Sequence, residues 1–147
     1  MSGTQSALML VMHAQTPEDL LVYQKAMAAA AEISAIIQRP SFDRDLRLKE
    51  QLGSASERCA SGISEGFEQS TDRHFAQYCY RSRGSAREIR TQLVIAQQRN
   101  HITEDERIPL DRRYEEIGKM LTGLIGHLER ENRKQRRSPA RAQRRDG

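Results

Sequence analysis

Four stretches of the chain repeat apolar residues every three or four positions, the spacing of one face of a helix. The first begins behind Thr16-Pro17-Glu18-Asp19. Thr16 can cap, Pro17 suits a first helical position, and the two acids face the positive end of the helix dipole. Its apolar positions are Leu20, Tyr23, Met27, Ala30, Ile33 or Ser34, and Ile37. Arg39-Pro40 ends it, because the residue before proline disfavours the α region. The second stretch runs from near Asp43 to Phe67, with Leu48, Leu52, Ala55, Cys59, Ile63 and Phe67 in its stripe and Leu46 at the entrance. Its other positions are often small: Gly53, Ser54, Ser56, Ala60, Ser61, Gly62 and Ser64. A glycine inside a helix costs up to ~1 kcal/mol relative to alanine. The ridge therefore predicts close packing against another helix or another subunit, and Gly66 falls in the C-terminal cap region.

A third helix is capped by Ser70 or Thr71, with Asp72 in its first turn. Phe75, Tyr78 or Cys79, Ser82, Ser85 or Ala86, Ile89, Leu93 and Ala96 form its stripe, and it stops near Arg99-Asn100. The fourth begins either at a Thr103–Glu106 capping box, which puts Pro109 inside the helix, or near Ile108. Leu110, Tyr114, Ile117, Leu121, Leu124 and Leu128 then alternate four and three, as in a coiled-coil seam. No segment alternates apolar and polar residues convincingly at the period of a strand. Four amphipathic helices with short connections predict an all-α, antiparallel up-and-down four-helix bundle. It spans residues 16–132, between a loose leader at 1–15 and a basic disordered tail at 133–147.

Composition narrows the class. At 37% hydrophobic and 30% charged residues, the chain is too polar for a membrane protein and too periodic for a disordered one. No apolar run approaches the ~18–20 residues that span a bilayer. The apolar run nearest the start, Ala7 to Met12, is too short for a signal-peptide core, so a cytoplasmic protein is expected. Cys59 and Cys79 have no metal-ligand spacing and read as reduced, buried thiols. His13, His74, His101 and His127 form no helical pair, so neither metal nor cofactor is expected. Charge is uneven. Residues 1–128 hold 16 Lys+Arg against 17 Asp+Glu, whereas residues 129–147 hold 8 against 3. The pI of 9.4 is thus a property of the tail, which is attracted to polyanions.

Candidate chemistry is sparse. Gly62-Ile63-Ser64-Glu65-Gly66 matches the Gly-x-Ser-x-Gly of a hydrolase nucleophile elbow, but that motif needs a strand before the serine and here sits in a helical period. Glu65 reads as a buried or interfacial carboxylate paired with a base. Arg83, Arg87 and Arg90, at i, i+4 and i+7, share one outer face. That face is either a solvated surface paired with nearby acids or a phosphate-contacting one. In the tail, Arg133, Lys134, Arg136, Arg137, Arg141, Arg144 and Arg145 are candidate contacts for RNA or DNA. The tail has no aromatic residue, so sequence-specific readout by it is not expected.

Several runs together resemble a known family. They are Asp19-Leu20 with Val22-Tyr23-Gln24-Lys25-Ala26-Met27, Gln51-Leu52, and Ile63-Ser64-Glu65-Gly66, which is similar to an Asn-Ile-Ala-Glu-Gly signature. Phe75, Gly84-Ser85-Ala86, Glu88-Ile89, Thr91-Gln92-Leu93 and Ala96 follow, then Ile117-Gly118-Lys119-Met120-Leu121 and Leu124-Ile125. The chain resembles the bacterial four-helix-bundle proteins encoded by intervening sequences within large-subunit ribosomal RNA genes, and the similar accessory proteins of diversity-generating retroelements. Gly62 departs from the pattern, where the family usually has asparagine. The resemblance implies a homopentameric ring and a non-enzymatic role, with nucleic acid, or a reverse transcriptase with its RNA, as partner. It supplies no catalytic residue. A protein-interaction scaffold that never touches nucleic acid is the alternative reading.

Overall fold

A computed structural model describes the backbone of residues 13–143 and the side chains of residues 13–137. The capping residues ahead of the first helix form their box, in which Asp19 accepts from the backbone N–H groups of Gln15 and Thr16, both at 3.0 Å. What they cap is a single 3-10 turn, Pro17–Asp19. Leu20 is extended (φ −82°, ψ 120°), and the α-helix proper, α1, is Leu21–Ile36. Its buried face is Val22, Ala26, Ala29 and Ile33, while Met27, expected in the core, is 48% exposed. The run Ala28 to Ala31 is equally apolar on every side, so periodicity has nothing to choose with. The neighbouring helices make the choice, and small Ala26 and Ala29 let them approach closely.

A second 3-10 turn, Pro40–Arg44, buries Phe42 and delays the next helix: α2 is Leu46–Phe67. Leu48, Leu52, Ala55, Cys59 and Ile63 are buried as the stripe requires, and Phe67 is half-buried. α3 is Asp72–Gln98. Thr71 caps it, its hydroxyl accepting from the His74 N–H at 3.2 Å. The chain leaves α3 through Asn100, whose φ of 62° lies in the left-handed region that asparagine tolerates. α4 is Glu104–Gln143. Thr103 and Glu106 exchange capping-box hydrogen bonds of 3.0 and 3.2 Å, so Pro109 does lie inside the helix, at the cost of one backbone bond.

α4 also continues past residue 133, where a disordered tail was expected to begin. Residues 129–137 are mostly Glu, Arg, Lys and Gln, all strong helix formers, and Lys134 pairs with Glu131 one turn back at 3.1 Å. Buried Leu110 to Leu128 have already nucleated the helix, so each further turn adds bonds without a new nucleation cost. Residues 1–12 of the expected leader, and residues 144–147, lie outside the described residues.

Contacts set the topology. Along α2 and α3, Gly62 lies against Ser82 and Gly66 against Tyr78. Between α3 and α4, Tyr80 meets Glu129, Arg83 meets Thr122 and Arg90 meets Asp111. Lys25 and Glu32 of α1 reach Glu116 and Arg113 of α4. In each pair, numbers rise on one helix as they fall on the other, so neighbours are antiparallel. α1 and α3 each pack on both α2 and α4, around one apolar cluster that includes Leu20, Phe42, Ile63, Ile89, Tyr114 and Leu121. The described residues contain four α-helices and no strand. The small-residue ridge of α2 is used only in part inside the chain: Ser56, Ala60 and Gly62 are buried, whereas Ser54 and Ser61 are exposed. A Cβ on Gly62 would come 2.3 Å from Ser82 Oγ, and one on Gly66 2.7 Å from Tyr78 Cβ. Gly66 is therefore a packing glycine within α2 rather than a cap. An asparagine at position 62, as the resemblance would have it, would press on the Ser82 hydroxyl.

Candidate functional site

α3 turns its stripe of Phe75, Cys79, Ser82, Ala86, Ile89, Leu93 and Ala96 inward, which leaves Arg83, Arg87 and Arg90 along the seam with α4. Arg83, Arg87 and Arg90 share that face but not one role. Arg90 lies between two acids of α4, with Nε 2.9 Å from Asp111 and a terminal nitrogen 3.5 Å from Glu115. It is an interhelical tie. Arg83 meets no acid among the described residues; it donates to Thr122 Oγ1 at 3.2 Å, and its guanidinium lies 4.9 Å from the Tyr80 ring centroid. Arg87 is exposed and has no ion pair among the described residues. The three line a groove of about 340 Å³ with Gly118, Lys119 and Thr122 of α4. Lys119 shares Glu115 with Arg90, at 3.1 Å.

The family of 23S rRNA-intervening sequence proteins matches residues 18–123. The chain belongs to that family. No curated protein and no solved structure matches it. In this intervening-sequence protein the matched span takes in the α3 arginines and Lys119, and it stops before the basic turns of α4. On those turns Arg133, Lys134, Arg136 and Arg137 are all exposed, with Lys134 held by Glu131. The side chain of Arg141, and both Arg144 and Arg145, lie outside the described residues. A second hollow of about 230 Å³, lined by Arg73, Gln77, Tyr80, Glu129, Asn132 and Arg136, joins these turns to the α3 face.

Tyr80, Lys119 and Arg73 were not singled out by the sequence. Tyr80 was within reach of sequence reasoning, because it sits one turn before Arg83 and off the apolar stripe. Lys119 was not, since only the docking of α4 on α3 brings it to the arginines. Ser64 lies in the body of α2 and donates to the Ser61 carbonyl at 3.0 Å, and the glycines flanking it serve the α3 crossing. Glu65 is exposed in the single chain and has no ion pair among the described residues, which corrects its reading as a carboxylate buried within the bundle.

The other concentration of polar groups is at the opposite end of the bundle. His101 is buried, stacked on Phe42 at 4.1 Å, with Nδ1 2.8 Å from Ser41 Oγ and Nε2 2.8 Å from Asp45. Arg99 also holds Asp45, at 3.0 Å, and Arg39 donates to both the His101 carbonyl and Glu106. The hydrogen bond from His101, with Arg99 beside it, holds the Asp45 carboxyl below its ordinary range. The hydrogen bond from Arg39 and the Thr103 N–H hold Glu106 at about 2. With both ring nitrogens engaged and the carboxylate shared with Arg99, this network clasps the α1–α2 turn to the α3–α4 turn. Among the described residues, no helix is long and apolar enough to cross a membrane, and no cluster of His, Cys, Asp or Glu is arranged to hold a metal ion.

Proposed function

We propose that this protein is a non-enzymatic, oligomeric RNA-binding bundle that contacts phosphates through the α3–α4 seam and the basic outer turns of α4. Arg87 carries the reading: it is exposed, unpaired among the described residues, and set in a groove with Arg83 and Lys119. Cations left unpaired beside a groove release counterions from a polyanion, whereas a surface knitted into ion pairs has little to release. Membership of a family named for an rRNA intervening sequence supports structured RNA as the ligand, either alone or carried by a reverse transcriptase.

Self-association belongs to the same proposal. The outer face of α1 presents Gln24, Met27, Ala28, Ala31, Ser34 and Ala35, all exposed and none charged, in a chain with 30% charged residues. Such a face suits a second copy, and we take the assembly to be the ring of five that the family resemblance implies, acting in the cytoplasm. Repetition around a ring turns weak single contacts into useful avidity.

Filter binding of structured RNA by the full-length protein across a salt series tests this reading. The expected result is affinity that falls linearly on logarithmic axes, with a shallower slope for the Arg83→Glu/Arg87→Glu double variant. Absence of binding, or a flat salt dependence, overturns it. If the double variant binds like the parent, the seam is not the contact surface. The alternative, a protein-interaction scaffold, predicts that this charge reversal is silent in every assay.

A further inference from the structure

The chain has seven Phe and Tyr residues and no Trp, and six of the seven are buried or half-buried. Tyr80 is the exception, at 43% exposure. It lines one of the two hollows of the α3–α4 seam, and its stacking partner Arg83 lines the other. The ring is held at both ends. Its hydroxyl donates to Glu129 Oε1 at 2.6 Å, and the Arg83 guanidinium lies 4.9 Å from its centroid. We propose that the seam seats an unpaired stretch of RNA, with Tyr80 as the platform on which one base stacks. This inference rests on the RNA-binding reading above and specifies which form of RNA the seam takes.

Three features carry it. Cations lie on both sides of the ring along the seam: Arg73 and Arg136 in one hollow, where Glu129 is taken up by the Tyr80 hydroxyl, and Arg87 and Lys119 in the other, where Glu115 is shared by Lys119 and Arg90. A backbone passing along the seam meets positive charge before and after the stacked base. Arg87 lies four residues beyond Arg83 on α3, about 6 Å along the axis, a step comparable to that between successive phosphates of a strand. The ring is already immobilised by Glu129 and Arg83, so little ordering remains to be lost when a base arrives. The groove floor is also unfilled. A Cβ on Gly118 would meet nothing within 4 Å, so the fold itself does not require glycine there, and its absence of side chain leaves width for a strand. A duplex buries its base faces and can use only the cations, whereas an unpaired strand uses cations and ring together.

The test is fluorescence anisotropy of the full-length protein with a labelled, unstructured RNA strand and with the same sequence as a duplex. The single strand is expected to bind more tightly. Tyr80→Ala is expected to weaken single-strand binding about tenfold and to leave duplex binding within about twofold, the size and selectivity of a lost base stack. Tyr80→Phe keeps the ring, loses only the Glu129 hydrogen bond, and is expected to bind the strand nearly as the parent does. Arg87→Glu is expected to weaken both ligands. Equal losses on strand and duplex for Tyr80→Ala, no loss on either, or a preference for duplex would overturn the proposal while leaving RNA binding in place. Failure to bind either ligand would overturn the RNA-binding reading as well.

Discussion

Gly66 of α2 has no space for a side chain because Tyr78 of α3 crosses directly over it, with an added methyl falling 2.7 Å from Tyr78 Cβ and 3.0 Å from Phe75 Cδ1. A β-carbon cannot rotate out of the way, so the helices themselves must separate. Gly66→Ala is expected to destabilise the fold by about 1–3 kcal/mol, the usual cost of overpacking. At Gly62 the obstacle is the Ser82 hydroxyl, which can turn and which has no hydrogen-bond partner where it is buried. Gly62→Ala is expected to cost less than Gly66→Ala, and adding Ser82→Ala to it to recover stability. Urea midpoints of the three variants and the parent decide the order.

The clasp predicts an acid limb. Glu106 is held at about 2, against an ordinary value of 4.5, chiefly by the hydrogen bond from Arg39. A carboxylate whose pKa is lowered by folding contributes stability that is complete above its unfolded value and drains as pH falls toward its folded one. The loss is therefore expected between about pH 4.5 and pH 2, and Asp45, also lowered, acts in the same direction. Glu106 is 36% exposed, so solvent screens part of the effect. Glu106→Gln is expected to be less stable than the parent at pH 7, with the gap narrowing as pH approaches 3. Thermal melts at the two pH values check this.

Neighbouring arginines should separate cleanly. Arg90 joins α3 to Asp111 and Glu115 of α4 across a partly buried seam, so Arg90→Ala is expected to lower stability by about 1 kcal/mol. Arg87→Ala removes no ion pair among the described residues and is expected to leave the melting temperature unchanged while weakening RNA binding. A melt and a binding curve on each variant distinguish tie from contact.

Burial pushes the thiols of Cys59 and Cys79 up to about 12, leaving little thiolate near neutrality. Neither is expected to react with a disulfide reagent in the folded protein at pH 8. Both should react promptly in guanidinium, and the rate in its absence then reports opening of the core.

How far the sequence reached depended on what each residue answers to. Leu48 to Ile63, Phe75 to Ala96 and Leu110 to Leu128 announced their buried faces, because large apolar residues recur there at helical spacing with polar residues between. Thr71, Asn100 and the Thr103–Glu106 box marked helix ends through bonds that span only three or four residues. In α1 the same reasoning put Met27 inside, since a run of alanines carries no directional signal and the 3-10 turn before it changes the phase. His101 passed as one scattered histidine, because its partners Ser41 and Asp45 are more than fifty residues away in sequence.

Hydrophobic period and local capping, which act within a few residues, were enough to establish four helices, their order and three of their four core faces. The division of labour between Arg90 and Arg87, the need for glycine at 66, the meeting of Tyr80 with the basic turns of α4, and the clasp around His101 were decided only when the helices packed. Each depends on an atom supplied by a distant part of the chain, and no local pattern specifies which atom that will be.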